Sequence, residues 1–167
     1  MKRKIVVIAA LVIGILGMLA YVWPGSGATN TAPDLSVETT TGQKINFSSL
    51  SKKKPVLVAF WATTCKSCLK EMPHLIELYQ ELHGKGLELI GVTMDYDPPI
   101  MVVDMISKRN IPYPVVMDLN KQIMHAFGMT RGITPTTFLI APGGKIVMQK
   151  AGLLDMQQLK QQIAAYL

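Results

Sequence analysis

Pro55-Val56-Leu57-Val58-Ala59-Phe60-Trp61-Ala62-Thr63-Thr64-Cys65-Lys66-Ser67-Cys68-Leu69-Lys70-Glu71-Met72 reads as a strand, a short turn and the opening of a helix. Pro55–Trp61 is almost continuously apolar, which suits a central strand covered on both faces. Beyond it, Leu69, Met72, Leu75, Ile76, Tyr79 and Leu82 recur at helical spacing and predict a helix from about Lys66 to His83. Pro73 lies inside that helix and predicts a kink. Gly84 and Gly86 end it. Cys65 therefore stands at a helix start, where unpaired N–H groups and the helix dipole favour an anion. A thiolate is the anion available. Its pKa falls in such a place, and it is the form that attacks disulfides. Cys68 lies one turn on, close enough to close a disulfide with Cys65. These are the only two cysteines of the chain.

Outward from this unit, strands and helices alternate. Leu35–Thr39 and Lys44–Phe47 predict a hairpin around Thr41-Gly42. Ser48–Leu50 reads as a turn leading to the basic loop Lys52–Lys54. Leu87–Met94 is a strand of parallel-sheet character, followed by a turn at Asp95–Pro99 and a helix over about Ile100–Arg109. Pro114–Met117 is a short extended piece, and Asn120 is read as the cap of a short helix ending at Phe127. Thr136–Ile140 and Lys145–Gln149 predict a second hairpin across Pro142-Gly143-Gly144, and Asp155–Tyr166 predicts the last helix. The pattern is α/β with a mixed sheet.

The N-terminus reads differently. Met1-Lys2-Arg3-Lys4 is basic, and Ile5–Trp23 carries no charge. At ~1.5 Å per residue, a helix of that length crosses a ~30 Å hydrocarbon core. Tyr21 and Trp23 fall where an interfacial aromatic belt would lie. Residues 1–23 are read as a signal anchor, with a cleaved signal peptide as the alternative. The positive-inside rule places the rest of the chain across the cytoplasmic membrane, facing the periplasm or cell exterior; cleavage would leave it soluble there. Residues 24–33 have linker composition, and residues 34–167 are expected to form one domain. The 167-residue chain carries a formal charge of +6, of which Lys2, Arg3 and Lys4 supply three. The remaining excess is scattered, so a nucleic-acid partner is not expected. Outside the cytoplasm structural disulfides are ordinary. A bridge across two intervening residues, however, closes almost no loop. A redox pair is the better reading of Cys65 and Cys68.

The stretch Phe60–Pro73, with its Cys-Lys-Ser-Cys and Glu71-Met72-Pro73, resembles the active-site region of the TlpA/ResA-like thioredoxin-fold oxidoreductases. Thr134-Pro135-Thr136-Thr137-Phe138-Leu139-Ile140 resembles that family's cis-proline strand. The resemblance covers residues 33–167 and implies a thioredoxin fold with an N-terminal β-hairpin extension and a central insertion over about Met94–Asp118. It departs from the family at Thr64 and Ser67, where Trp and Pro are usual. Gly132-Ile133-Thr134-Pro135 is one residue longer than the usual Gly-x-Pro. The buried Asp that thioredoxins carry below the cysteines is replaced by Ala59.

The resemblance implies roles. Cys65 attacks, a mixed disulfide forms, and Cys68 resolves it. Lys66 places a cation beside Cys65, the alternative being a solvated surface lysine. Pro135 is expected cis, leaving the Thr134 backbone free to pair with an incoming peptide. Glu71, one turn past Cys68, is the acid/base candidate, against the alternative of an exposed helix glutamate. Trp61 and Thr64 are placed at the substrate rim, with plain core packing as the alternative for Trp61. The implied clients are exported proteins with cysteine pairs, apocytochrome c among them, and the implied electron source is a membrane dithiol donor.

No cofactor beyond the Cys65–Cys68 disulfide and no metal is expected. A protein thiol oxidase is an alternative, because Lys66 and the missing proline both alter the pair. A copper(I) carrier is another, since two thiolates suit soft metals, but no partner histidine can be placed, and His74, His83 and His125 read as surface residues. The 11 methionines read mostly as core. A peroxiredoxin would need Pro and Thr spaced before its cysteine, whereas Thr64 adjoins Cys65 directly.

Overall fold

The computed structural model describes residues 30–167. The anchor reading of residues 1–23 falls outside the described residues. Among the described residues, no helix is long and apolar enough to cross a membrane. The elements are β1 (Ser36–Glu38), β2 (Lys44–Asn46), α1 (Phe47–Leu50), β3 (Val56–Trp61), α2 (Lys66–Leu82), β4 (Glu88–Thr93), α3 (Pro99–Arg109), β5 (Val115–Met117), α4 (Gln122–Ala126), β6 (Thr136–Ile140), β7 (Ile146–Ala151) and α5 (Met156–Ala164), with a 3-10 turn at His83–Lys85.

The main sheet runs β5-β4-β3-β6-β7, and β1 and β2 form a separate hairpin. β3 is parallel to β4 and antiparallel to β6. This is the mixed sheet expected from the alternation, and β3 lies at its centre. Every residue of β3 is buried, as a continuous apolar run requires. Side chains alternate across it. Val56, Val58 and Phe60 enter a core closed by Ile45, Phe47, Ile123, Met124 and Phe127 from the hairpin side and α4. Leu57, Ala59 and Trp61 enter a second core closed by Met72, Leu75 and Leu78 of α2, Val102 of α3, and Leu159 and Ile163 of α5.

Three local readings are corrected. Ser48–Leu50 is not a turn but part of α1, because the Asn46 side chain accepts from Ser49 N at 2.8 Å and caps it. The cap at α4 comes chiefly from Asp118, whose two carboxylate oxygens accept from Ile123 N at 2.9 Å and Met124 N at 2.8 Å. Asn120 accepts only from Gln122 N, at 3.2 Å. Residues 30–32 belong to the folded unit rather than a linker: Ile146 N donates to Asn30 O and Ala32 N to Gly144 O, each at 2.7 Å.

Candidate functional site

β3 delivers the chain to one pole of the sheet, and the Ala62–Thr64 turn passes it into α2. Cys65 is the N-cap of α2, with extended backbone, and its Sγ accepts from Cys68 N at 3.1 Å. A sulfur therefore occupies the position that a capping oxygen takes in other helices. Cys65 and Cys68 are joined by a disulfide with Cα atoms 5.2 Å apart. Cys65 is half-buried, whereas Cys68 is 3% exposed and packs against the α2 core. Cys65 is thus the more exposed member of the pair, with Cys68 behind it. Ser67 Oγ lies 3.3 Å from Cys65 Sγ. Lys66 and Thr64 are exposed on either side of Cys65.

The loop before β6 leaves the sheet at the same pole, because Thr136 pairs with Phe60. The Thr134–Pro135 bond is cis. Among the described residues no backbone hydrogen bond engages Thr134, while Pro135 O accepts from Gly152 N at 2.8 Å. Gly132 sits tightly in this loop: a Cβ there would come within 2.8 Å of Met94 Cε.

Glu71 is not the exposed helix residue that its sequence neighbours Lys70 and His74 allow. It is 4% exposed, and its Oε1 accepts from Leu154 N at 2.7 Å. Burial pushes its carboxyl pKa up; the Leu154 bond and the nearby His74 oppose that shift. The carboxyl borders a cavity of about 180 Å³ lined by Lys70, His74, Leu153, Leu154 and Met156. Trp61 is a correction. At 3% exposure it is core, not rim; its ring lies over Gly91, where a Cβ would come within 2.9 Å of Nε1.

One residue near the pair was not foreseen. Asp97, 2% exposed, accepts three hydrogen bonds from Thr63, two residues before Cys65. Thr63 N donates to Oδ1 at 3.1 Å and Oδ2 at 3.0 Å, and Thr63 Oγ1 donates to Oδ1 at 2.7 Å. The only trace of it in the sequence is an Asp that precedes two prolines rather than a helix-forming run. Among the described residues no group of three His, Cys, Asp or Glu could hold a metal ion.

Residues 28–149 match the AhpC/TSA family. Over 136 residues the chain is 38% identical to thiol-disulfide oxidoreductase ResA of Bacillus thuringiensis (strain Al Hakam), spanning 81% of this chain and 74% of that protein. The chain belongs to the AhpC/TSA family and is a ResA-like thiol–disulfide oxidoreductase. Solved structures agree. A thioredoxin-family thiol:disulfide interchange protein from Chlorobium tepidum TLS superposes with TM-score 0.72 at 25% identity, over 81% of this chain and 94% of that one. StoA from Bacillus subtilis gives TM-score 0.65 at 25% identity, over 76% and 93%. The thioredoxin fold and the ResA-like family expected from the sequence are both shown.

Proposed function

We propose that this oxidoreductase reduces disulfides in exported proteins, with apocytochrome c among its clients, while tethered to the cytoplasmic membrane by residues 1–23. The observation that carries this reading is the asymmetry of the pair: Cys65 is partly exposed at the start of α2, and Cys68 is buried one turn behind it. In the dithiol state the Cys65 thiolate, favoured by the helix start and by Lys66, attacks one sulfur of a client disulfide. That S–S bond breaks, a Cys65–client disulfide forms, and the departing client sulfur takes a proton. Cys68 loses its proton and attacks Cys65 Sγ. The mixed disulfide breaks, the second client sulfur leaves and takes a proton, and the Cys65–Cys68 bond closes. The client gains two electrons and two protons. A membrane dithiol donor returns the pair to the dithiol state.

The same reading gives roles to three further residues. Glu71, whose carboxyl pKa is pushed up by burial, accepts as a carboxylate the proton lost by Cys68 and passes it on. The unengaged Thr134 backbone before Pro135 accepts the client chain as an added strand, and Thr64 flanks that approach. No cofactor beyond the cysteine pair is needed.

Cys68→Ser removes the resolving sulfur, so the mixed disulfide is expected to accumulate on Cys65 and to be visible on a non-reducing gel of membranes. Cys65→Ser should trap nothing. Equal trapping by both variants would overturn the assignment of roles. Direction is tested separately, by equilibrating the wild-type pair with glutathione. A pair far more oxidising than glutathione would overturn the reductase direction and leave an oxidase.

A further inference from the structure

Three aspartates stand at or just before helix starts, and two of them behave alike. Asp118 caps α4 through Ile123 N and Met124 N. Asp155 caps α5 through Gln157 N and Gln158 N, both at 3.0 Å. Asp97 precedes α3, but α3 has no side-chain cap. Its carboxylate crosses instead to Thr63, 34 residues away in the chain, and spends both oxygens there. Among the described residues no cation lies within ion-pair distance of it. Burying a carboxylate without a counter-charge is costly and is tolerated only where hydrogen bonds satisfy it. The three bonds all come from Thr63, in the middle of the Ala62–Thr64 turn into Cys65. That turn has one further internal tie, from Cys65 N to Ala62 O at 3.1 Å.

We infer that Asp97 is a positioning residue for the redox pair: through Thr63 it pins the turn that holds Cys65 against Cys68. The inference rests on the reading of Cys65 and Cys68 as the exchanging pair. When the disulfide is closed, the bond itself fixes Cys65. When it is open, the clamp and the Cys68 N–H contact hold the Cys65 sulfur close to its partner. The clamp thus raises the effective concentration of one thiol at the other. Loosening it frees the dithiol more than the disulfide, so the equilibrium moves toward the dithiol.

The test is the equilibrium of the full-length protein with reduced and oxidised glutathione, read by alkylation, alongside thermal unfolding of the same samples. Asp97→Ala is expected to shift the constant toward the dithiol by about tenfold, which for a two-electron couple is ~30 mV. Asp97→Asn keeps an acceptor but sets an N–H donor against the donors of Thr63. Thr63→Val keeps the carboxylate and removes one donor. Both should shift the constant part of the way, and they keep the test open if Asp97→Ala does not fold. Thr63→Ser, which retains the hydroxyl, should stay at the wild-type value. If the variants melt at lower temperature while their glutathione constants match wild type, the clamp is merely structural and the inference falls. If the wild-type pair itself fails to equilibrate with glutathione, it is the exchange reading that falls.

Discussion

The two faces of the central sheet share their strands but not their chemistry. On the face under α4, Phe127 meets Phe47, Phe60 and Phe138 with ring centroids 5.2, 5.7 and 5.0 Å apart. On the face under α2 the core contains Cys68 and Tyr113, with Glu71 buried at its edge. Burial also pushes the Tyr113 hydroxyl pKa up. The three buried side-chain polar atoms without a partner among the described residues, Trp61 Nε1, Thr93 Oγ1 and Thr137 Oγ1, all fall on this second face by strand alternation. Their positions follow from the registers Trp61↔Thr93 and Ala59↔Thr137. One face is closed by interlocking rings and supplies stability. The other tolerates polar groups at a cost in stability, and it backs the redox pair.

The sharpest way to separate the faces is Phe127→Ala. Removing the ring shared by three aromatic contacts should cost about 3–5 kcal/mol, measured by urea unfolding. The glutathione constant of the pair should stay within about twofold, as expected for separated sites. A redox shift comparable to the stability loss would show that the two faces are not separable, and contact of Cys65 with both cores is the route by which that would happen.

Gly91→Ala tests the opposite face with a smaller change. The added Cβ would come 2.9 Å from Trp61 Nε1 and 3.1 Å from Tyr113 Cε2, both well-packed rings. Overpacking of this kind costs about 1–3 kcal/mol. Because Trp61 shares its core with Cys68, the glutathione constant should move together with the melting temperature. Movement of the melting temperature alone would make the face behind α2 as inert as the one behind α4.

The fold was legible because its signals are local and periodic. The apolar run Val56–Trp61, the CxxC at a strand-to-helix junction and the Thr-Pro-Thr strand each occupy consecutive residues. The site was legible only as far as it shares that property. Cys65 and Cys68 could be placed, but the clamp could not, since Asp97 and Thr63 meet across two loops with no pattern linking them. Glu71 is an intermediate case. The stripe Leu69, Met72, Leu75, Ile76, Tyr79 and Leu82 reads as the inward one. Met72, Leu75 and Leu82 are buried, but the other buried residues are Cys68, Glu71 and Leu78, while Leu69, Ile76 and Tyr79 are only partly covered. Starting the helical period from Cys68 places Glu71 at i+3, Met72 at i+4 and Leu75 at i+7, all facing inward, so the signal was present but one position round the helix. Trp61 was misplaced for the converse reason. The end of a central strand lies near the site in sequence, but strand alternation turns its ring into the core. Asn120 reads as the cap because it lies just before the helical run, whereas the side chain that accepts from Ile123 N and Met124 N belongs to Asp118, two residues earlier.

The finest distinction concerns the two buried carboxylates, Asp97 and Glu71. Asp97 takes three hydrogen bonds and Glu71 takes one. A carboxylate left under-bonded in a buried site holds its proton more tightly than in water, and Glu71 is shifted upward from 4.5 for that reason. Between 4.5 and the raised folded value the folded state carries more protons than the unfolded one. Stability therefore falls as pH rises through that window and levels off above it. Glu71→Gln keeps an acceptor for Leu154 N–H and removes the ionisation. The difference in melting temperature between wild type and Glu71→Gln, followed against pH, should grow in favour of the variant as pH rises from about 4.5 and then become constant. If Glu71 relays the proton of Cys68, disulfide reduction near neutral pH should slow by about a hundredfold in the variant, the effect of losing a general acid or base. Parallel melting curves and an unchanged rate would reduce Glu71 to a cap for the Leu154 amide, and the face behind α2 would lose its proton route while keeping its cysteines.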